Sequence, residues 1–300
     1  MAIPTIAMIP SSFKAGKLGS VLPLNGDGDF TFTRASSATR VNQSGLIEVV
    51  AANVPRLDYS DGTCPSLLLE PTATNIITYS EDFSNAYWVK NGSSVTSGFT
   101  SPSGDLSAFK LVEDNTNAIH ILDTQLVGSK SGSYTYSFFA KKGENKFVVL
   151  WWVYNTPSKI WFDLESGVIG SATGTVIQNS KIENYGNGWF KCSVTRNEIG
   201  NVYCVIGTSN QDAVTSYQGN GTSGVYIYGA QLEENSYSTS YIKTVGTTQT
   251  RVADTANLNL TSFTLTSITE TIGGVEQSPI TVIPSTYTIP FGKINKIIMI

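Results

Sequence analysis

The chain has 300 residues, of which only 14% are charged, well below the roughly 25% of typical soluble domains. The formal net charge is −4 and no Lys or Arg cluster stands out, so the sequence lacks the basic surface that a nucleic-acid partner requires. Ser, Thr, Asn and Gly take the place of charged residues, which favours strand surfaces and turns over helices and predicts an all-β protein.

The first of three regions, residues 1–78, is rich in turns and poor in long alternating runs. Its opening, MAIPTIAMIP, is apolar but short and contains Pro4 and Pro10, so we expect neither a signal peptide nor a membrane span there. Short strand candidates follow in FTFTRASSATRV, SGLIEVVA and SLLLEPTATN. We interpret residues 1–78 as an N-terminal arm or small β region that serves for attachment.

The second region, residues 79–245, contains strand candidates at regular spacing. Examples are SYTYSFFAKK, KFVVLWWVY, KIWFDLES, WFKCSVTR and GVYIYGAQLEE, and the segments between strands carry Gly or Asn, as in KGENK and GNGTSG. About nine or ten short strands at this spacing predict a two-sheet antiparallel jelly-roll sandwich. No segment keeps a 3.6-residue period, which argues against parallel α/β folds.

The third region, residues 246–300, alternates β-branched and polar residues and offers a hairpin turn at Gly273-Gly274. We expect a short C-terminal β region that takes part in packing or oligomerisation. Its last residues, KIIMI, are apolar and should dock against this chain or a neighbouring subunit. A weak echo links this region to the first, because TRAS at 33–36 and TRVAD at 250–254 both follow Thr-rich segments.

Residues that could carry out catalysis are few. His120 is the only histidine, and it alternates with Ile119 and Ile121 as an ordinary strand residue does. Asp163 and Glu165 would share one strand face, as the acid pair of a glycosidase could, but DLESG also fits a strand that runs into a turn with solvated acids. We therefore expect no enzymatic activity and no catalytic residues.

The three cysteines, Cys64, Cys192 and Cys204, are too few and too scattered for a disulfide framework or a zinc site. Cys192 and Cys204 lie in neighbouring predicted strands and could face each other. A free buried thiol is the more common state in a protein assembled in a reducing cytoplasm, and the sequence leaves the pairing open.

Aromatic residues concentrate in the central strands. Strand alternation places Trp151 on one face and Trp152 with Tyr154 on the other. One set would fill the sandwich core, and the other could form an exposed strip on which sugar rings stack. The alternative is that both sets are packed, inside the sandwich or against a neighbour. The candidate glycan-binding residues are Trp152, Tyr154, Trp161 and Tyr228.

Two long segments resemble known proteins. The run FTFTRASSATRVNQSGLIEVVAANVPRLDYSDGTCPSLLLEPTATNIITYSEDFSNAYW resembles a signature of bacteriophage virion proteins of the head-spike, head-fibre and tail-fibre type. The segment from YSEDFSNAYWVKNG to GVYIYGAQLEENSYSTSYIKT is similar to the carbohydrate-binding-module-like jelly roll that follows this signature in such proteins. Together they cover roughly residues 30–255. The resemblance implies an adhesin-like or decorating virion component, often oligomeric, with an N-terminal part that ties it to the particle.

The resemblance also implies a structural calcium ion, which jelly rolls of this binding-module class often hold between their first and last strands. The matching positions are Glu81, Asp82 and Gln231. This sequence has YGAQ where an acidic pair is usual, so oxygen ligands would have to come from Gln231 and from backbone carbonyls. We expect no other cofactor.

Two compatible functional hypotheses follow. In the first, the chain is a structural subunit of a phage head fibre, spike or tail fibre that contacts capsid or tail proteins, forms a homo-oligomer and displays the jelly roll. In the second, the jelly roll recognises host-surface glycans through the exposed aromatic strip. A polysaccharide-degrading spike is disfavoured because the acid pair is missing. We expect a virion protein, assembled in the host cytoplasm, with no nucleic-acid partner and no membrane insertion.

Overall fold

The computed structural model describes residues 4–10, 13–14, 17–18, 30–124, 127–153, 158–174 and 177–300. All regular elements within these residues are β-strands, and the strands pair in an antiparallel manner. The protein is therefore all-β, as its composition predicts. The part of the chain that the structure describes contains no helix long and apolar enough to cross a membrane.

The chain divides into two compact units. The first combines Met1–Thr72 with Arg251–Ile300, and the second is Ala73–Thr250. The first segment contains β1 (Ile6–Met8), β2 (Phe13–Lys14), β3 (Lys17–Leu18), β4 (Phe30–Thr33), β5 (Ala38–Val41), β6 (Ile47–Val50), β7 (Arg56–Asp58) and β8 (Ser66–Leu69). The middle of the chain contains β9 (Ala73–Asn75), β10 (Trp88–Asn91), β11 (Ser93–Phe99), β12 (Ala108–Glu113), β13 (Asn117–Ile119), β14 (Ile121–Thr124), β15 (Ser129–Lys142), β16 (Phe147–Val153), β17 (Ser158–Asp163), β18 (Val168–Thr173), β19 (Ile177–Asn184), β20 (Trp189–Asn201), β21 (Tyr203–Ser209), β22 (Ser216–Gln218), β23 (Gly224–Glu233) and β24 (Gln249–Arg251). The last segment contains β25 (Thr255–Asn259), β26 (Ile268–Ile272), β27 (Val275–Glu276), β28 (Thr286–Thr288) and β29 (Gly292–Met299).

The first unit is built by pairing strands from opposite ends of the sequence. One sheet has the order β27-β26-β29-β8-β7, with β1 also paired to β29, and a second has the order β2-β3-β4-β25-β28. Alternation explains the local structure, because Phe30 and Phe32 of β4 are buried while Thr31 and Thr33 are exposed. Strand β29 contains the apolar KIIM residues and lies inside this chain's own sheet. That segment therefore gives no support to subunit packing through this end of the chain.

This arrangement differs from the three regions expected at 1–78, 79–245 and 246–300. The structure places the boundaries at 72 and 250 and joins the first and last segments in one unit. The pairings responsible, β4 with β25 and both β1 and β8 with β29, connect strands that are far apart in the sequence. Alternation within a strand does not reveal its partner, so the sequence pattern could not predict this union.

A network of buried charged side chains ties the segments of the first unit together. Arg34 Nη1 lies 3.0 Å from Asp254 Oδ1, and Arg56 Nη1 lies 2.7 Å from Glu70 Oε2. Arg251 Nη1 lies 2.5 Å from the same Glu70 oxygen, and Arg56 also contacts Asp254. The two echoed segments, TRAS and TRVAD, thus meet through their arginine and aspartate side chains.

The three arginines of this network exceed the two carboxylates, and backbone carbonyls accept several of the remaining N–H donors. Arg34 Nη2 donates to the Ala51 carbonyl oxygen at 2.7 Å, and Arg251 Nη2 donates to that of Pro71 at 2.7 Å. Buried charges are tolerated only when they are paired and hydrogen-bonded in this way. The network therefore links residues 34, 56 and 70 of the first segment to residues 251 and 254 of the last.

Glu270 is a buried carboxylate of β26 without such pairing. Its Oε1 atom is buried and makes no hydrogen bond within the described residues, and burial raises the pKa of the carboxyl above its ordinary value of 4.5. Because the folded state then binds the proton more readily than the unfolded chain, the first unit should lose stability as the pH rises from about 4.5 through the raised pKa. At lower pH this penalty is absent.

Substitution Glu270→Gln is expected to raise the free energy of unfolding by about 1 kcal/mol at neutral pH and to flatten its pH dependence. The check is urea unfolding followed by far-UV circular dichroism at pH 5 and pH 8. Glu276→Gln, at an exposed position on β27, is the control and should change neither quantity. Equal behaviour of the two variants would contradict this interpretation of Glu270.

The second unit is a β-sandwich of two six-stranded sheets. Sheet I has the order β10-β14-β21-β16-β17-β18, and sheet II has the order β11-β12-β23-β15-β20-β19. Inward-facing side chains of both sheets form one continuous core, which includes Trp88, Leu122, Trp152, Tyr136, Val194 and Leu232. Gly92 lets the chain pass from β10 in sheet I to β11 in sheet II, since its φ is +60° and a Cβ atom would lie 2.1 Å from the Ile119 carbonyl oxygen.

Both buried cysteines of the sandwich are free thiols. Cys192 lies in β20 of sheet II and Cys204 in β21 of sheet I, so the two are not neighbours in one sheet as their spacing suggested. Each faces the core, and burial raises the pKa of the Cys192 thiol well above its ordinary value. Cys64, in the first unit, is also free and is exposed.

Candidate binding surface on the sandwich

Trp152 lies between the two sheets and is fully buried. Its ring contacts Tyr136 edge-on, with centroids 6.2 Å apart, and the Arg196 guanidinium lies 5.4 Å from the ring centroid. Trp151, the next residue, is half-buried, and the Lys159 ammonium lies 3.8 Å from its ring centroid. The expected alternation is present, but Trp152 is on the core side and is not exposed for a ligand.

The other aromatic candidates are not exposed together either. Trp161 is buried beside Phe147 and Val149, and its Nε1 donates to the Val214 carbonyl oxygen at 2.9 Å. Tyr228 is buried on sheet II, and Tyr154 lies outside the described residues. The described members of the expected strip thus occupy three separate places. Other segments of this chain cover Trp161 and Tyr228 on the outer faces of the two sheets, and strand periodicity carries no information about such coverage.

The three expected calcium ligands are engaged by protein donors. Glu81 Oε1 accepts hydrogen bonds from the hydroxyls of Tyr228 and Tyr241, at 2.8 and 3.0 Å, and its Oε2 lies 2.5 Å from Lys243 Nζ. Burial and then the Glu81 charge raise the pKa of both tyrosines, so both hydroxyls remain donors.

Gln231 and Asp82 have separate roles. Gln231 Oε1 accepts the Ile242 amide hydrogen at 2.8 Å, and Asp82 Oδ1 accepts the Ser84 hydroxyl at 2.5 Å. Among the described residues no group of three or more His, Cys, Asp or Glu side chains is placed to hold a metal ion. Glu81, Asp82 and Gln231 thus each accept hydrogen bonds within the protein, and the calcium site stays a prediction.

His120 is fully buried, and both ring nitrogens face backbone acceptors. Nδ1 lies 2.6 Å from the Gly92 carbonyl oxygen, and Nε2 lies 3.2 Å from that of Tyr217. Asp114 Oδ1 lies 3.5 Å from Nδ1. The ring therefore links the chain at Gly92 to β22 and has the contacts of a structural residue.

Asp163 and Glu165 lie at the turn that follows β17. Although burial opposes it, hydrogen bonds from the backbone amides of Glu165 and Ser166 lower the pKa of Asp163. The Glu165 pKa is lowered by its hydrogen bond and ion pair with Lys142. A glycosidase acid needs a raised pKa, and neither carboxyl has one.

The outward face of sheet II carries a polar array that the strand registers define. Asn179, Thr195 and Thr135 are aligned across β19, β20 and β15. The next aligned set along the strands is Lys181, Ser193 and Ser137. The third set is Glu183, Lys191 and Phe139. Alternation directs all nine side chains away from the core.

The chain covers part of this array after it leaves β23. We call residues 234–245 the exit segment. Thr135 Oγ1 donates to the Asn235 carbonyl oxygen at 2.8 Å, and Ser238 Oγ donates to Ser137 Oγ at 3.1 Å. The Lys191 ammonium also donates to a carbonyl oxygen of this segment. Thr195 Oγ1 also contacts the Ser236 carbonyl oxygen, so the exit segment is held over β15 and β20, while Asn179 and Lys181 of β19 remain exposed.

A groove with a cavity volume of about 100 Å³ remains between β19 and the exit segment. We call it the polar groove, and it is lined by Asn179, Ser180, Lys181, Glu183, Ser193, Thr195, Tyr237 and Ser238. Ser193 and Thr195 of β20 form its floor, and the ring of Tyr237 stands at its far side with 45% of its surface exposed. Lys181 Nζ and Glu183 Oε1 are 2.5 Å apart at its edge.

No sequence pattern predicts the polar groove. Its lining comes from an edge strand, a neighbouring strand and a loop, and consists mainly of short polar side chains that form no recognisable motif. The sequence does place one aromatic residue, Tyr237, in a Ser-rich loop, NSYSTS. An aromatic residue in such a polar loop indicates an exposed ring.

No family model matches this chain, and no curated protein matches it in sequence.

Proposed function

We propose that this protein is a structural component of a bacteriophage virion, a subunit of a head fibre, spike or tail fibre. In this proposal the first unit attaches to capsid or tail proteins, and the sandwich is displayed as a jelly roll of the carbohydrate-binding-module type. The protein acts without catalysis, assembles in the host cytoplasm and forms a homo-oligomer in the particle.

The observation that carries the proposal is the position of the signature residues. Arg34, Arg56 and Glu70 lie in the run that resembles virion proteins, and all three belong to the buried charge network of the first unit. Their partners Arg251 and Asp254 come from the far end of the chain. The run that resembles virion proteins therefore contains residues of the charge network that links the segments of the first unit.

The sandwich is inserted into that body. Residues 73–250 leave and rejoin it at adjacent points, since Thr74 Oγ1 and Thr250 Oγ1 are 2.8 Å apart. An insertion with neighbouring ends can vary or be displayed without changing the body that carries it. This organisation suits a protein in which one unit attaches to the particle and the other is displayed.

The experiment is an add-back assay with phage particles grown without the gene for this chain. The full chain and a variant in which a short Gly/Ser linker replaces residues 73–250 are each mixed with such particles and sedimented. We expect both to sediment with the particles, because attachment belongs to the first unit. An Asp254→Asn full-length chain, in which only the first unit is expected to be destabilised, should attach more weakly than the unmodified chain.

The excised variant must first show a cooperative unfolding transition by circular dichroism. If it folds and does not bind particles while the full chain does, the assignment of attachment to the first unit is wrong. If none of the folded proteins binds particles, the virion proposal itself is contradicted.

A further inference from the structure

We propose that the sandwich forms an internal ester bond between the hydroxyl of Thr239, in the exit segment, and the side-chain carboxamide of Gln231, in β23, with loss of ammonia. The inference goes beyond the proposed function and does not depend on it, since the reaction joins two side chains of one chain. It is also distinct from enzymatic activity, because it occurs once and consumes its own side chains.

The carboxylate of Glu233 holds both reacting groups. Thr239 donates its hydroxyl hydrogen to Oε2 at 2.7 Å and its backbone amide hydrogen to Oε1 at 2.8 Å. Gln231 Nε2 donates to the same Oε1 at 2.9 Å. A carboxylate that accepts a hydroxyl hydrogen is placed to remove it, and a neighbouring base of this kind activates a weak oxygen nucleophile.

A backbone amide polarises the carboxamide of Gln231. The Ile242 amide donates to Gln231 Oε1 at 2.8 Å. An N–H donor at this distance stabilises the negative charge that develops on a carbonyl oxygen when a nucleophile attacks its carbon. The leaving nitrogen lies against the Glu233 carboxylate, which can return the proton. The nucleophile, base, oxyanion donor and leaving group that acyl transfer requires are therefore all present.

Burial of the three side chains favours the ester over its hydrolysis. Gln231, Glu233 and Thr239 are 1%, 0% and 1% exposed. Water that would compete with the hydroxyl, or cleave the product, is excluded from such a site. The Ser240 carbonyl oxygen is a second shared neighbour, 3.4 Å from Gln231 Nε2 and 3.5 Å from Thr239 Oγ1. Both reacting groups are thus held beside the same two acceptors, which favours an intramolecular reaction.

The reaction balances without another reactant. Glu233 takes the hydroxyl proton of Thr239 as Oγ1 forms a bond to Gln231 Cδ, and the carbonyl π electrons move to Oε1. Those electrons re-form the carbonyl as the Cδ–Nε2 bond breaks, and Nε2 takes the proton from Glu233 and leaves as ammonia. The products are the ester, ammonia and the original Glu233 carboxylate.

The test is mass spectrometry of tryptic peptides from the folded full chain. Gln231 and Thr239 fall in one peptide, residues 197–243, because trypsin cleaves after Arg196 and Lys243. In most molecules we expect this peptide to be lighter than its sequence mass by about 17 Da, the mass of ammonia. It should give no backbone fragments between residues 231 and 239 until hydroxylamine cleaves the ester.

Variants of the exit segment identify the nucleophile. Thr239→Ser keeps a hydroxyl and should keep the mass loss, whereas Thr239→Ala should abolish it. Thr244→Ala is the matched control, because Thr244 is a buried threonine of the same segment whose hydroxyl donates to the Ile77 carbonyl oxygen at 2.7 Å. This control should keep the loss. Folding of each variant is checked by its tryptophan fluorescence transition.

Two results would overturn the ester bond. The first is a full sequence mass for the peptide from the folded unmodified chain, a result that does not depend on the folding of any variant. The second is an equal mass loss in Thr239→Ala, because the ammonia would then come from another side chain, such as that of Asn220, which precedes Gly221.

Discussion

Replacing Asp254 with asparagine is expected to destabilise the first unit by about 3–5 kcal/mol, the loss associated with breaking a buried ion pair from one side. The carboxylate contacts Arg34 and Arg56, and Oδ2 accepts the backbone amide hydrogen of Glu70 at 2.8 Å. An amide cannot neutralise the two guanidinium groups, which would remain buried. Such a loss is a large fraction of the roughly 5–15 kcal/mol by which a typical domain is stable.

The two units can be followed separately in this measurement. All five tryptophans lie within residues 73–250, so tryptophan fluorescence reports the sandwich, whereas far-UV circular dichroism reports both units. We expect Asp254→Asn to lower the unfolding midpoint of the first unit, which appears in circular dichroism but not in tryptophan fluorescence. The fluorescence transition, which reports the sandwich, should be the same as in the unmodified chain.

Glu48→Gln is the matched control for this prediction. Glu48 pairs with Arg40 on the hairpin β5-β6 of the same unit, but the two side chains are 36% and 21% exposed. Exposed pairs contribute at most about 1 kcal/mol, so this variant should remain close to the unmodified chain. If Asp254→Asn is no more destabilising than Glu48→Gln, the network does not hold the first unit together.

Replacing Trp152 with alanine is expected to destabilise the sandwich by about 3–5 kcal/mol, the cost typical of truncating a large aromatic side chain in a core. The indole is fully buried between the sheets and packs against Tyr136 and Arg196. The fluorescence transition should therefore shift to a lower denaturant concentration.

Tyr237→Ala removes an aromatic ring from the same unit, but that ring is 45% exposed. We expect it to cost less than about 1 kcal/mol. Trp152 was a candidate glycan-binding residue from the sequence. If Trp152→Ala lost binding to a glycan, the loss would reflect unfolding of the sandwich and not removal of a binding residue. A Trp152→Ala protein with the stability of Tyr237→Ala would show that the indole is not a core residue.

The fold class could be predicted from the sequence, and the reasons are local. Ser, Thr and Asn in place of charged residues, together with short runs separated by Gly and Asn, are properties of individual strands and turns. They indicated the sandwich correctly. The union of the two ends of the chain depends on pairing between β4 and β25 and between β8 and β29, which no local pattern specifies.

The candidate site was harder to predict because it depends on which residues of each sheet are covered by other segments of the chain. Trp161 and Tyr228 face outward from their sheets, as alternation allows, yet Val214 and Tyr241 lie over them. Ser193, by contrast, occupies a strand position like many others, and it lines a groove only because of where the exit segment crosses sheet II. Tertiary position, and not residue type, separates a covered aromatic residue from one that lines a groove.

We propose that this chain is part of a virion. Mass spectrometry of density-gradient-purified phage particles tests this proposal most directly. We predict peptides from both units at a constant ratio to the major capsid protein across the particle fractions and through repeated purification. A ratio that falls with each purification step, or absence of the chain from infectious particles, would contradict the claim.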